Sequence, residues 1–242
     1  MRRFLAVATL LAATLLTIGP VAAEPPGREG AFNFHFGGFF PKGGGDFWDA
    51  NEAAFTLDHS DFNGLSGGVG YTAAVNNYIE FDFDVAFYGA SNTSADRNFV
   101  DQNGFAILHD TRLSMYPVTV SFRVLPAGRF GRRGTDGTHY VRRPVPYLGF
   151  GIGGEYWQYE EEGDFVASDL SVVNDRFIAS GVAFEKHAMV GIEFPVAPAW
   201  NITFEVRQSW AETTPGGAFA FVNPGRLDLG GTSVMLGGSV RF

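Results

Sequence analysis

Tyr78-Ile79-Glu80-Phe81-Asp82-Phe83-Asp84-Val85-Ala86-Phe87-Tyr88 decides the fold of this chain. Ile79, Phe81, Phe83, Val85 and Phe87 alternate with Glu80, Asp82, Asp84 and Ala86. A strand turns successive side chains to opposite faces, so one face here is wholly apolar and the other carries three carboxylates. No helix would separate these residues so cleanly, because its period is 3.6.

Seven more segments repeat the pattern. They span residues 30–40, 64–74, 112–124, 145–157, 182–194, 200–210 and 232–242. In 112–124, Tyr116, Val118, Val120, Phe122 and Val124 oppose Thr119, Ser121 and Arg123. In 182–194, Phe184, Ala188, Val190, Ile192 and Phe194 oppose Glu185, His187, Gly191 and Glu193. Each segment has about the 9–11 residues that a tilted strand needs to cross a bilayer. Turns are short at 75–77 and 195–199, whereas 41–63, 89–111, 158–181 and 211–231 are long. An even-numbered antiparallel barrel has this rhythm, with short turns on one side and long loops on the other. The link 126–144 breaks it, being long where a short turn is due, and it is rich in arginine: Arg129, Arg132, Arg133, Arg142 and Arg143. The four long loops carry net charges of −4, −2, −5 and −1.

Composition narrows the class. The chain has 25 Phe and 32 Gly but no Cys, which excludes disulfides, thiol catalysis and cysteine metal sites. Arg2 and Arg3, the apolar run 4–18 and the small residues Val21, Ala22 and Ala23 read as a secretory signal over 1–23. The apolar run is shorter than the roughly 20 residues of a spanning helix. Without Arg2 and Arg3, the 17 basic residues become 15 against 26 acidic ones, a net of −11. That balance argues against nucleic acid as a partner.

Which face meets lipid follows from size. The interior of an eight-stranded barrel is only just wide enough for side chains to fill it. A Phe-rich face would not fit there, whereas glycine and paired charges would. The expected lumen network is therefore Glu80, Asp82, Asp84, Arg123, Glu155, Glu185, His187, Glu193, Glu205, Arg207 and Arg241. Aromatic girdles are expected at both interfaces, with Tyr78, Trp200 and Phe242 at one level and Phe40, Tyr88, Trp157 and Trp210 at the other. The expectation is an all-β chain folded over 24–242 as one antiparallel up-and-down transmembrane β-barrel of eight strands, monomeric and in the outer membrane.

Gly237, Val240 and Phe242 form the Gly-x-x-hydrophobic-x-Phe ending of outer-membrane barrels, with Met235 where a polar residue is usual. On these residues, and on the segments Tyr116-Pro117-Val118-Thr119-Val120-Ser121 and Pro146-Tyr147-Leu148-Gly149-Phe150-Gly151, the chain resembles the small OmpA-like and OmpX-like outer-membrane barrels. The resemblance covers residues 30–242. It implies fold, location and the barrel assembly machinery as a partner of the Gly237-Val240-Phe242 signal; the family's functions are too diverse to transfer.

Chemistry is harder to place. His187 shares its face with Glu185 and Glu193, and Ser121 or Ser239 could complete a nucleophile–base–acid set across the lumen. A histidine satisfied by an acidic neighbour is the expected reading, and His35 is read likewise. His59, His109 and His139 fall in loops without metal-ligand spacing. Asp58 to Gly64 is similar to a calcium loop, but Phe62 takes a ligand place and no glutamate closes it. No cofactor and no metal are expected. The expected role is non-enzymatic, either structural in the envelope or a surface interaction through the acidic loops. A narrow conduit for small hydrophobic molecules and a lipid-modifying hydrolase are the alternatives.

Overall fold

A computed structural model describes residues 30–129, 144–197, 199–222 and 225–242. The expected signal at 1–23 and residues 130–143 of the basic link lie outside them.

Among the described residues nine strands form, in chain order: β1 (Gly30–Pro41), β2 (Gly64–Ala74), β3 (Ile79–Val100), β4 (Ala106–Val124), β5 (Val145–Val166), β6 (Val172–Pro195), β7 (Trp200–Thr213), β8 (Leu227–Asp228) and β9 (Gly231–Arg241). Each pairs antiparallel with its neighbours. The ring closes because β1 pairs with both β2 and β9, and β7 pairs with both β6 and β9. Eight strands make this up-and-down barrel; β8 only hooks onto the end of β7.

The deciding segment lies where its pattern requires. Glu80 faces Arg123 across the β3–β4 ladder, and Asp82 faces Ser121, all four buried inside. Between them Phe81 faces Phe122 on the outside, with ring centroids 5.7 Å apart. Phe34, Phe87, Phe150, Phe184, Val190 and Phe204 stand exposed on the same outer band. An apolar surface that continuous is what lipid contact requires. Tyr78, Trp200 and Phe242 rim it at the short-turn end, and Phe40, Tyr116 and Trp210 at the other. Tyr88 and Trp157 do not belong to that rim. Both are buried, because each shares its parity with Asp84 or Glu155 and so points inward.

Two expected long loops turn out to be strand. β3, β4, β5 and β6 run to 22, 19, 22 and 24 residues, about twice what crossing the bilayer takes. Residues 89–111 and 158–181 are therefore chiefly two hairpins that project beyond the membrane band. Neither of their faces meets lipid, so the sharp alternation that marks a strand elsewhere is missing there.

The first loop contains a helix that periodicity did not reveal, α1 (Asp46–Ala54), with Asp46 and Asp49 in its first turn, where the helix dipole favours acids. Phe47, Trp48 and Asn51 form its buried face.

Candidate functional site

The lumen is filled at three levels. At the short-turn end the structure adds a residue that sequence reasoning had assigned to the link. Gly128 adopts φ +67°, and a Cβ there would lie 2.7 Å from Asn77 Nδ2, so only glycine fits. This turn, held by Gly128 N–H donating to Leu125 O and Arg129 N–H donating to Asn77 O, carries Arg129 into the barrel mouth. Arg129 donates from Nε to Glu80 Oε1 at 2.6 Å and from Nη2 to Glu80 Oε2 at 2.8 Å. Its Nη1 reaches Glu193 Oε2 at 2.6 Å. Arg123 bonds Glu193 at 2.9 Å and stacks over the Tyr147 ring at 3.7 Å, and Arg241 reaches Glu80 at 3.2 Å. Three guanidinium groups thus surround two buried carboxylates.

The middle level holds Arg207, bonded to Asp84 at 3.1 Å and to Glu205 at 3.0 Å. Tyr147 Oη donates to Glu205 at 2.6 Å, and Asn33 and Thr72 both donate to Asp82. His35 Nδ1 lies 3.6 Å from Asp84. The cavity between these residues measures about 40 Å³, room for a few water molecules at most.

On the opposite wall His187 Nε2 is 2.8 Å from Ser121 Oγ, and its Nδ1 is 3.1 Å from Glu185 Oε1. The order is that of a serine nucleophile, base and acid. Ser239 takes no part, since it accepts from Asn201 at 3.0 Å, and Glu193 belongs to the arginine cluster. The set is sealed: Ser121 and the His187 ring are fully buried. A Cβ built on Gly151 would lie 2.6 Å from Ser121 Oγ and 2.5 Å from His187 Nε2. Gly151 thus leaves no room beside Ser121 Oγ and His187 Nε2 even for a methyl group. Glu155 and Glu185 face each other's charge with no arginine in ion-pair range among the described residues, and Glu155 Oε1 and Glu185 Oε2 have no hydrogen-bond partner among them. The expected paired network is thus complete only on the arginine side.

The loop-side level is apolar. Phe47 of α1 packs against Tyr159 and Phe219, with centroids 4.9 and 5.8 Å apart. Trp48 packs on Phe62 and donates Nε1–H to Asp228 O at 2.9 Å. Tyr88, Trp157, Leu113 and Met115 complete this cluster from the barrel wall, and Tyr88 Oη donates to Phe62 O. The first and last long loops thereby hold each other over the mouth, through Phe47 N–H donating to Arg226 O and Asp228 N–H donating to Gly44 O.

Above the membrane band, the inner face of the projecting hairpins carries His109 and Glu161. His109 lies between the rings of Phe55 and Phe165, at 4.2 and 5.0 Å, and burial holds its pKa below the ordinary histidine value. Burial pushes the Glu161 carboxyl up to about 7, although Tyr159 Oη donates to it at 2.9 Å. His59, read from the sequence as a loop histidine without metal-ligand spacing, meets Glu52 and Asp58 at the outer rim.

Comparison with known proteins agrees with this architecture. No protein-family model and no characterised protein sequence matches the chain. Among solved structures, the outer-membrane protein OprG of Pseudomonas aeruginosa is similar at 13% identity, with a TM-score of 0.50, over 89% of this chain and 97% of that one. Neisserial surface protein A matches at 11% identity and a TM-score of 0.47, over 88% and 96%. At 13% identity the likeness to OprG speaks for fold alone, and it agrees with the closed antiparallel ring: in fold, this chain is a small transmembrane β-barrel of the outer-membrane type.

Proposed function

We propose that this protein is a closed, non-enzymatic, monomeric barrel of the outer membrane that acts through its outward face. The observation that carries the reading is the one-sided projection of β3 to β6. The β6–β7 ladder ends at Glu185 paired with Ala211, whereas β6 begins at Val172. Among the described residues no strand pairs with that edge of β6 over 172–184. The 3₁₀ turn Gly217–Val222 packs against β6 near Ile178, and the rest of that edge offers backbone donors and acceptors to an added strand. Its side chains mix charge with apolar surface: Asp175 and Arg176 sit beside Val172, Val173 and Ile178. A protein partner with an extended segment suits such an edge.

The three filled levels support closure over the conduit reading, and the sealed Ser121–His187–Glu185 set supports a structural role over hydrolysis. The exposed Phe242, hydrogen-bonded to Gly30 in both directions at the seam of the barrel, suits recognition by the assembly machinery.

The chain has no cysteine, so single-cysteine labelling is clean. Asn174→Cys should react with a membrane-impermeant maleimide on intact cells. Asn76→Cys, in the β2–β3 turn, should react only after permeabilisation. The reverse pattern, or recovery of the protein outside the outer-membrane fraction, overturns the reading. Stepwise conductance in planar bilayers would restore the conduit.

A further inference from the structure

We propose that Glu52, Asp58 and His59 form a divalent transition-metal site of the Zn²⁺ class on the outer rim of the barrel. One donor atom from each lies within 4.8 Å of the others, and this is the one such group among the described residues. His59 Nδ1 is 3.0 Å from Glu52 Oε1 and 3.4 Å from Asp58 Oδ1. Ligands held about 2.1 Å from one ion stand roughly 3.0–3.4 Å apart, as edges of an octahedron or a tetrahedron; the two separations to His59 match such edges, and the two carboxylate oxygens lie within 4.8 Å of each other.

Charge points the same way. Among the described residues neither Glu52 nor Asp58 has a lysine or arginine in ion-pair range; His59 is the partner of both. Arg97 passes close by, yet its Nε donates to the backbone carbonyls of Glu52 and Phe55 and not to a carboxylate. Two carboxylates facing one imidazole leave an uncompensated negative charge, which a divalent cation would balance.

The three side chains are also held in place before any ion arrives. The His59 ring lies against Gly43, where φ is +67° and a Cβ would sit 2.1 Å from ring Cγ. Asp58 is fixed as the cap of the 3₁₀ turn His59–Phe62, accepting from Ser60 N–H at 2.8 Å while its own N–H donates to Asp61. Glu52 sits in the last turn of α1 and accepts from His59 N–H at 3.1 Å. One nitrogen and two carboxylates suit Zn²⁺ or a similar borderline ion. Calcium requires 6–8 oxygens, and three side-chain donors fall short of that. The ion would fasten the end of α1 to the turn before β2, locking the helix that stoppers the barrel.

The test uses the folded, full-length protein in detergent, stripped with EDTA and titrated with Zn²⁺ alone by calorimetry. One equivalent should bind to the wild type. His59→Ala and Glu52→Gln should each weaken binding at least about ten-fold. Each variant should keep the heat-dependent gel shift of an intact barrel, because the site lies on a partly exposed rim. The proposal is overturned if the wild type takes up no Zn²⁺ at micromolar concentrations, or if folded His59→Ala binds as tightly as the wild type.

Discussion

Arg129 grips both carboxylate oxygens of Glu80 across the barrel mouth, at 2.6 and 2.8 Å, although the two residues are 49 positions apart. Planar fork geometry of this kind is specific to arginine. Arg129→Ala leaves Glu80 and Glu193 buried with fewer partners, which for a buried pair costs about 3–5 kcal/mol. Urea unfolding in lipid vesicles should show that loss. Arg129→Lys should recover only part of it, because an ammonium has no planar fork to bond both Glu80 oxygens while also reaching Glu193. Equal midpoints for the alanine variant and the wild type would refute the clamp.

Trp48→Ala should destabilise the protein by about 3–5 kcal/mol, the usual cost of removing a buried tryptophan. It should nevertheless stay silent in planar bilayers. The stopper of α1 lies above two further filled levels, so opening the top does not open the lumen. Conductance in Trp48→Ala would show that α1 alone seals the barrel.

Glu161 makes the projecting part sensitive to pH. Its carboxyl titrates near 7 in the folded protein, against an ordinary value of 4.5. A raised acid pKa means that the folded state holds its proton longer than the unfolded state does. The stabilisation is therefore complete below about pH 4.5 and is lost as pH rises through 7, by about 3 kcal/mol in all. Hydrogen exchange of β4 and β5 outside the membrane should quicken from pH 5 to pH 8 beyond its intrinsic increase. Glu161→Gln, neutral throughout, should flatten that dependence.

Ser121→Ala separates a structural role from a catalytic one. Removing the hydroxyl leaves His187 Nε2 buried without its partner, a cost of about 1–3 kcal/mol. The lipid A profile by mass spectrometry should not change in Ser121→Ala or His187→Ala. A changed profile in both would bring the hydrolase back.

Much of the fold was legible in period-two patterning, because lipid on one side and packed polar groups on the other impose opposite demands on alternate residues. Glu80, Phe81 and Asp82 show this within three positions. The patterning stopped working at Gly89 and Gln158, where the strands continue but the lipid does not. The lumen network was legible as a set of residues on one face, but its pairings were not. Nothing in the spacing says that Glu185 meets His187 while Glu193 meets Arg123 and Arg129. Tyr88 and Trp157 went to the wrong place because aromatic identity was weighed above parity.

The sequence by itself determined the membrane-crossing part of the eight barrel strands, its inward and outward faces and the closing Phe242, since these follow from chemistry repeated every second residue. Only the tertiary structure decided that Arg129 enters the lumen, that Trp48 fills its top, and that Glu52 joins Asp58 and His59. Those three depend on how irregular segments fold back over a finished ring. Such returns are governed by single turns, as at Gly128, and by long-range packing, neither of which leaves a periodic trace.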